Sequence, residues 1–115
     1  MITELRKRED FEQLLESSKT HPVIIFKHST QCAISDQVYE EFCRFVESAG
    51  NINCGLVLVI EWRAVSNAIE TMLDIPHESP QAILVRDGKP KWNASHWSIT
   101  YDALTRALYA ESSHQ

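Results

Sequence analysis

Apolar residues recur along this chain with two different spacings, and the switches between them mark out its elements. Phe11, Leu14 and Leu15, within Glu9 to Ser18, follow the i, i+3, i+4 spacing of an amphipathic helix. Lys19-Thr20-His21 interrupts it, and Pro22 to Lys27 is a compact apolar run suited to a strand covered on both faces. From Ala33 to Ala49 the positions Ile34, Val38, Phe42, Phe45, Val46 and Ala49 form one stripe about 120° wide, at about 100° per residue. Gly50 then takes the position that ends such a helix. Leu56 to Ile60 predicts a second buried strand, and Ala64 to Leu73 a shorter helix closed by Asp74-Ile75-Pro76. Pro76 to Pro80 fits neither a helix nor a central strand. Gln81 to Arg86 predicts a third strand, Asp87-Gly88 a hairpin turn, and the stretch near Lys91 to Ala94 its partner strand. Thr100 caps a final helix with Leu104, Ala107 and Leu108 on its apolar side and Asp102 in its first turn.

The predicted order is therefore α-β-α-β-α-β-β-α. Each β-α-β unit implies a parallel pair with a right-handed crossover, and the last two strands form an antiparallel hairpin. This is the order of the thioredoxin fold: an α/β, thioredoxin-like domain with a central mixed four-stranded sheet flanked by helices. In such a sheet the functional edge lies at the C-terminal ends of the parallel strands. A length of 115 residues fits a single domain spanning 1–115.

Composition narrows the function. Formal net charge is −5, and Arg6-Lys7-Arg8 is followed at once by Glu9 and Asp10, so no basic face for nucleic acid is expected. The longest aliphatic run, Leu56 to Ile60, is far short of a membrane span, and the first residues lack the apolar run of a signal peptide. Three cysteines do not make a disulfide framework, which points to a reducing, cytoplasmic setting.

The chemistry concentrates where the first apolar strand ends, in Phe26-Lys27-His28-Ser29-Thr30-Gln31-Cys32-Ala33-Ile34-Ser35. Cys32 falls where a helix begins, and the unpaired N–H groups and positive dipole end of a helix start favour a thiolate over a thiol. It also lies about 160° around that helix from Ile34, off the apolar stripe. Three residues on, where a dithiol redox protein carries its second cysteine, stands Ser35. Cys-x-x-Ser offers one sulfur, and its chemistry ends in a mixed disulfide with another molecule.

These residues resemble the monothiol bacilliredoxins, whose motif is Thr-Cys-Pro-Ile-Ser after a Phe-Lys-His-Ser segment. The likeness continues through Val59 to Asn67, His77 to Gln81 and Ala94 to Thr100, and spans about Phe11 to Leu108. Gln31 replaces the usual threonine and Ala33 the proline after the cysteine. Alanine keeps the helix and adds an N–H near the sulfur. The resemblance implies a thiol-disulfide oxidoreductase whose Cys32 attacks a protein–bacillithiol mixed disulfide, frees the protein thiol and takes the cap itself. Its implied partners are S-thiolated client proteins, with a low-molecular-weight thiol (bacillithiol or similar) as co-substrate, or another redoxin, as reductant. No bound cofactor and no metal are expected. The resemblance also implies a cis proline facing the cysteine at Ser79-Pro80, where the Ser79 backbone can pair with an extended substrate. Thr30, Gln31 and Ala33, around the cysteine, belong to the same expected substrate surface.

Other readings compete residue by residue. Cys32 could be a buried structural thiol. His28 could assist deprotonation of Cys32 or pack at the strand end; Ser35 could bond the Cys32 sulfur or bond within its helix. Cys43 lies eleven residues beyond Cys32, about 16 Å along one helix, so it cannot resolve a disulfide that needs Cα atoms within about 7 Å. Cys54 is expected at the opposite edge of the sheet. The spacing lacks a Cys-x-x-Cys zinc pair and the Cys-Gly-Phe-Ser motif of cluster-binding glutaredoxins. His96 and Trp97 have no task assignable from sequence. A quiet thioredoxin-fold module that binds partner peptides at Ser79-Pro80 is the alternative to an enzyme. A cysteine hydrolase built on Cys32 and His28 is weak, because no acid or amide is expected to orient the histidine.

Overall fold

The computed structural model describes residues 2–50 and 52–112. In chain order these form β1 (Ile2–Glu4), α1 (Arg8–Ser17), β2 (Val23–His28), α2 (Ala33–Ser48), β3 (Asn53–Leu58), α3 (Arg63–Leu73), β4 (Gln81–Arg86), β5 (Lys89–Ser95), a 3-10 turn (His96–Ser98) and α4 (Tyr101–Ser112). The strands make one sheet in the order β1-β3-β2-β4-β5. β1 and β2 run parallel to β3, whereas β4 is antiparallel to both β2 and β5, so the parallel pair expected of the β3-α3-β4 unit does not form.

The sheet thus has five strands where four were predicted. The addition is β1, three residues paired with Cys54, Gly55 and Leu56. With only Ile2 apolar among Ile2-Thr3-Glu4, it is too short to show an alternation. The predicted strand at Leu56 to Ile60 is also displaced, to Asn53–Leu58. Val59 still donates to the His28 carbonyl at 3.0 Å, but Trp62 N–H turns back to Leu58 O at 2.8 Å and ends the ladder. At the other end, Asn53, Cys54 and Gly55 pair with Val23, Ile24 and Ile25 despite carrying little strand signal of their own.

Every residue of β2 is buried because helices cover both sheet faces. Val23 and Ile25 join Val57, Ile83 and Val85 in a core under α1 and α3, which contribute Phe11 and Ile69. Ile24 and Phe26 join Ala82 and Leu84 in a second core under α2 and α4, with Phe42, Phe45 and Leu104. Phe26 stacks on Phe42 with ring centroids 4.6 Å apart, locking α2 to the strand that leads into it. Gly50, at φ +75°, stops that helix in the left-handed conformation glycine adopts freely. Because Lys27 pairs with Gln81, and Gln81 with Ser95, the end of β2, the start of β4 and the end of β5 meet at one edge.

Candidate active site

Cys32 sits at that edge as the N-cap of α2, in extended conformation (φ −125°, ψ 120°). Its N–H donates to Ser29 O at 3.3 Å, and its own carbonyl accepts Asp36 N–H at 3.2 Å. The residue is half-buried, so its sulfur can meet solvent. First-turn N–H groups have no carbonyl partner inside a helix, and the sixteen-residue α2 adds its positive dipole end at the same place. Cys32 therefore sits at the donor end of the helix.

Ser35 is wholly buried. Its Oγ accepts the Ser29 N–H at 3.0 Å and lies 2.7 Å from His28 Nδ1. With the serine hydroxyl donating to Nδ1, each of these polar groups is satisfied and Nε2 carries the histidine proton. Nε2 then faces Asp36 Oδ1 at 3.7 Å. An acid therefore does approach His28, contrary to the sequence expectation, because the first turn of α2 folds Asp36 back over the end of β2. The ring is 6% exposed and stacks on Tyr39 at 4.7 Å. Burial lowers the His28 pKa, with Asp36 and Glu61 pulling the other way. The neutral imidazole is thus bonded to Ser35, and it braces the turn that carries Cys32.

The Ser79–Pro80 peptide bond is cis, and Pro80 directly precedes β4. Several side chains clamp the loop in front of it. His77 N–H donates to Glu70 Oε2 at 2.7 Å, and Gln81 Nε2 donates to Pro76 O at 3.1 Å. Lys27 Nζ donates to His77 Nδ1 at 3.2 Å, with Ser66 Oγ 3.3 Å from the same nitrogen. Lys27 is fully buried; desolvation lowers its pKa to about 8, against the pull of Glu70. Ser79 Oγ and Gln81 Oε1 are buried with no hydrogen-bond partner among the described residues. His96 N–H donates to Pro80 O at 3.0 Å, which fixes the 3-10 turn against the proline.

The edge therefore brings together Cys32, Ser35, His28, Ser79 and Pro80, with Thr30, Gln31 and Ala33 exposed around the cysteine. Cys43 is half-buried further along α2. Cys54 pairs with Ile24 at the opposite end of the sheet, where burial pushes its thiol up to about 12. Sequence reading overlooked the Lys27–His77–Ser66 cluster. The one available signal was a lysine inside a strand buried on both faces, which must find a partner or lose its charge. Trp97 follows His96 in the 3-10 turn, and it is exposed.

A sheet of this topology, with a cysteine at the start of α2 and a cis proline directly before β4, defines the thioredoxin-fold thiol redox proteins. Residues 3–104 match the family described as Monothiol bacilliredoxin BrxC, and the chain belongs to that family. A solved structure described as an oxidoreductase with a thioredoxin fold is 31% identical, covering 92% of each chain at a TM-score of 0.85. Thioredoxin from Malassezia sympodialis superposes at 0.78 with 16% identity, over 98% of this chain and 92% of that one. Thioredoxin from Fasciola hepatica does so at 0.75 with 13% identity, over 93% and 96%. The last two likenesses are of fold alone. The chain is a thioredoxin-like thiol-disulfide oxidoreductase.

Proposed function

We propose that this protein is a monothiol disulfide reductase that removes bacillithiol, or a similar low-molecular-weight thiol, from protein mixed disulfides through Cys32. The observation that carries the reading is the pairing at the start of α2. Cys32 is half-buried at the first turn of the helix, and the position three residues on is a buried serine engaged by His28 and Ser29. In the first step the Cys32 thiolate attacks the capping sulfur of a client mixed disulfide. A Cys32–cap disulfide forms, the client–cap disulfide breaks, and the client sulfur leaves as a thiolate that takes a proton from solvent. In the second step a free low-molecular-weight thiolate, or the thiolate of another redoxin, attacks the cap. It leaves with the cap as a new disulfide and restores the Cys32 thiolate. Two electrons pass from the incoming thiols to the client disulfide, so no bound cofactor is required.

Ser79 and Pro80 present the surface on which an extended client segment rests, and Thr30, Gln31 and Ala33 border the sulfur. The His28–Ser35 pair holds the turn; it acts through position, since its hydrogen bonds are internal. A reducing cytoplasm suits a catalyst with three free thiols. The test is release of the client thiol from a bacillithiol-capped protein, with free bacillithiol as reductant. The wild-type chain should turn over; Cys32→Ser should be inactive, while Cys43→Ser and Cys54→Ser should retain activity. A Cys32→Ser chain as active as the wild type would refute the reading.

A further inference from the structure

Trp97 is 58% exposed, although a side chain of its size gains most from burial. The backbone holds it there at a cost. His96 adopts φ +55°, a left-handed conformation that strains a residue with a Cβ by order of 1 kcal/mol or more. Two contacts retain the strained residue: its N–H bonds Pro80 O at 3.0 Å, and its Nε2 lies 3.6 Å from Glu78 Oε1. The outcome is an exposed indole one residue beyond the backbone contact to Pro80.

Between Trp97 and α2 lies a hollow of about 220 Å³, lined by Gln37, Val38, Glu41, Ile99 and Thr100. That is below the 300–1,000 Å³ range typical of small-molecule pockets and suits a single side chain. The charge of the segments at this end of the sheet is one-sided. Residues 29–36, 59–63, 76–80 and 95–98 carry Asp36, Glu61 and Glu78 against Arg63. The Asp36 and Glu78 side chains are well exposed, and Lys27 is sealed beneath the edge. Glu41 is already engaged by Tyr101 N–H and Arg44, so it adds no free charge.

We propose that Trp97 recognises an arginine beside the capped cysteine of a client protein, the exposed Asp36 and Glu78 adding a negative field at this end of the sheet. The arginine stem would enter the hollow and its guanidinium would lie on the indole face. The chemistry of the clients favours this occupant. Cysteines that ionise, and so become capped, are those next to Lys, Arg or His⁺. A basic neighbour is therefore a feature that different clients share, and a planar guanidinium stacks on an indole better than an ammonium does. The inference rests on the disulfide-exchange reading above and adds to it a preference among clients.

The test uses three peptides, each with one bacillithiol-capped cysteine and with Arg, Leu or Glu two residues away. Pre-reduced protein is held in excess, and the rate constant for release of the peptide thiol is measured. The Arg peptide should react about five- to tenfold faster than the Leu peptide, corresponding to one cation–π contact. The Glu peptide should be slowest, and the spread should shrink in 0.5 M salt as exposed charges are screened. Trp97→Ala should bring the Arg-to-Leu ratio below about twofold, while Trp97→Phe should keep part of it. An unchanged ratio in Trp97→Ala, or a wild-type chain that prefers Leu, would overturn the proposal. If Trp97→Ala does not fold, the Trp97→Phe ratio and the salt response still decide. Failure of the wild-type chain to release thiol from any of the three peptides would instead count against the exchange reading itself.

Discussion

Ser35 occupies the place where a second sulfur would make this a dithiol enzyme, and its hydroxyl is bonded to a buried histidine and a backbone N–H. Ser35→Ala would leave both groups buried without a partner, at a cost of about 1–3 kcal/mol. Urea unfolding should detect that loss, and a change under about 0.5 kcal/mol would contradict the assigned role. Ser35→Cys restores the Cys-x-x-Cys spacing of dithiol redoxins. The variant should close its own disulfide with Cys32 on oxidation, read as the loss of two titratable thiols, whereas the wild-type chain should lose none by an internal bond. His28 adds a pH signature. Its folded pKa is lowered, mainly by burial, so below its ordinary value near 6.5 the unfolded chain binds a proton that the folded chain resists. The stability due to neutral His28 is complete above that value and is lost as pH falls toward the folded pKa. An NMR titration should place the His28 midpoint below the ordinary value near 6.5.

At the scale of elements, the loop from Asp74 to Pro80 is held against α3 and β2 through Glu70, Ser66 and Lys27. The Lys27 ammonium is held out of water, with pKa lowered to about 8. Between that value and its ordinary 10.4 or so, the unfolded chain retains a proton the folded chain has released, so folding stability rises with pH across this window. Lys27→Met should stabilise the protein by roughly 1–3 kcal/mol below pH 8, with the gain fading toward pH 10.5. A destabilised variant at pH 7 would show that the ammonium is better solvated by its partners than its burial suggests. The same strand shows what a sequence reveals. α2 was legible almost to the residue, because its stripe repeats over sixteen residues and Gly50 marks its end. β4 matched its predicted bounds, since Gln81 to Arg86 is bracketed by Pro80 and Asp87-Gly88. β1 and the start of β3 were not legible: β1 is three residues long, their pairing is set by neighbours in space, and Asn53 and Gly55 carry no strand signal. Cys32 could be placed from topology, Ser35 from its spacing and Pro80 from the family resemblance, whereas the contacts of His77 and Ser66 depend on loop conformations that no periodicity encodes.

On the scale of the whole molecule, helices cover both sheet faces, and the candidate site lies at one edge. Cys54 lies at the other edge and Cys43 well along α2, so neither can resolve a disulfide at Cys32 without unfolding. The net charge of −5 adds a general bias toward basic partners. The most direct test of the account is intact-mass analysis of the protein, quenched with acid seconds after mixing with a bacillithiol-capped client and no other thiol. The account predicts one added bacillithiol, located on Cys32 by peptide mapping and matched mole for mole by freed client thiol. Client thiol released with no cap on Cys32, or a cap appearing on Cys43 or Cys54, would contradict it.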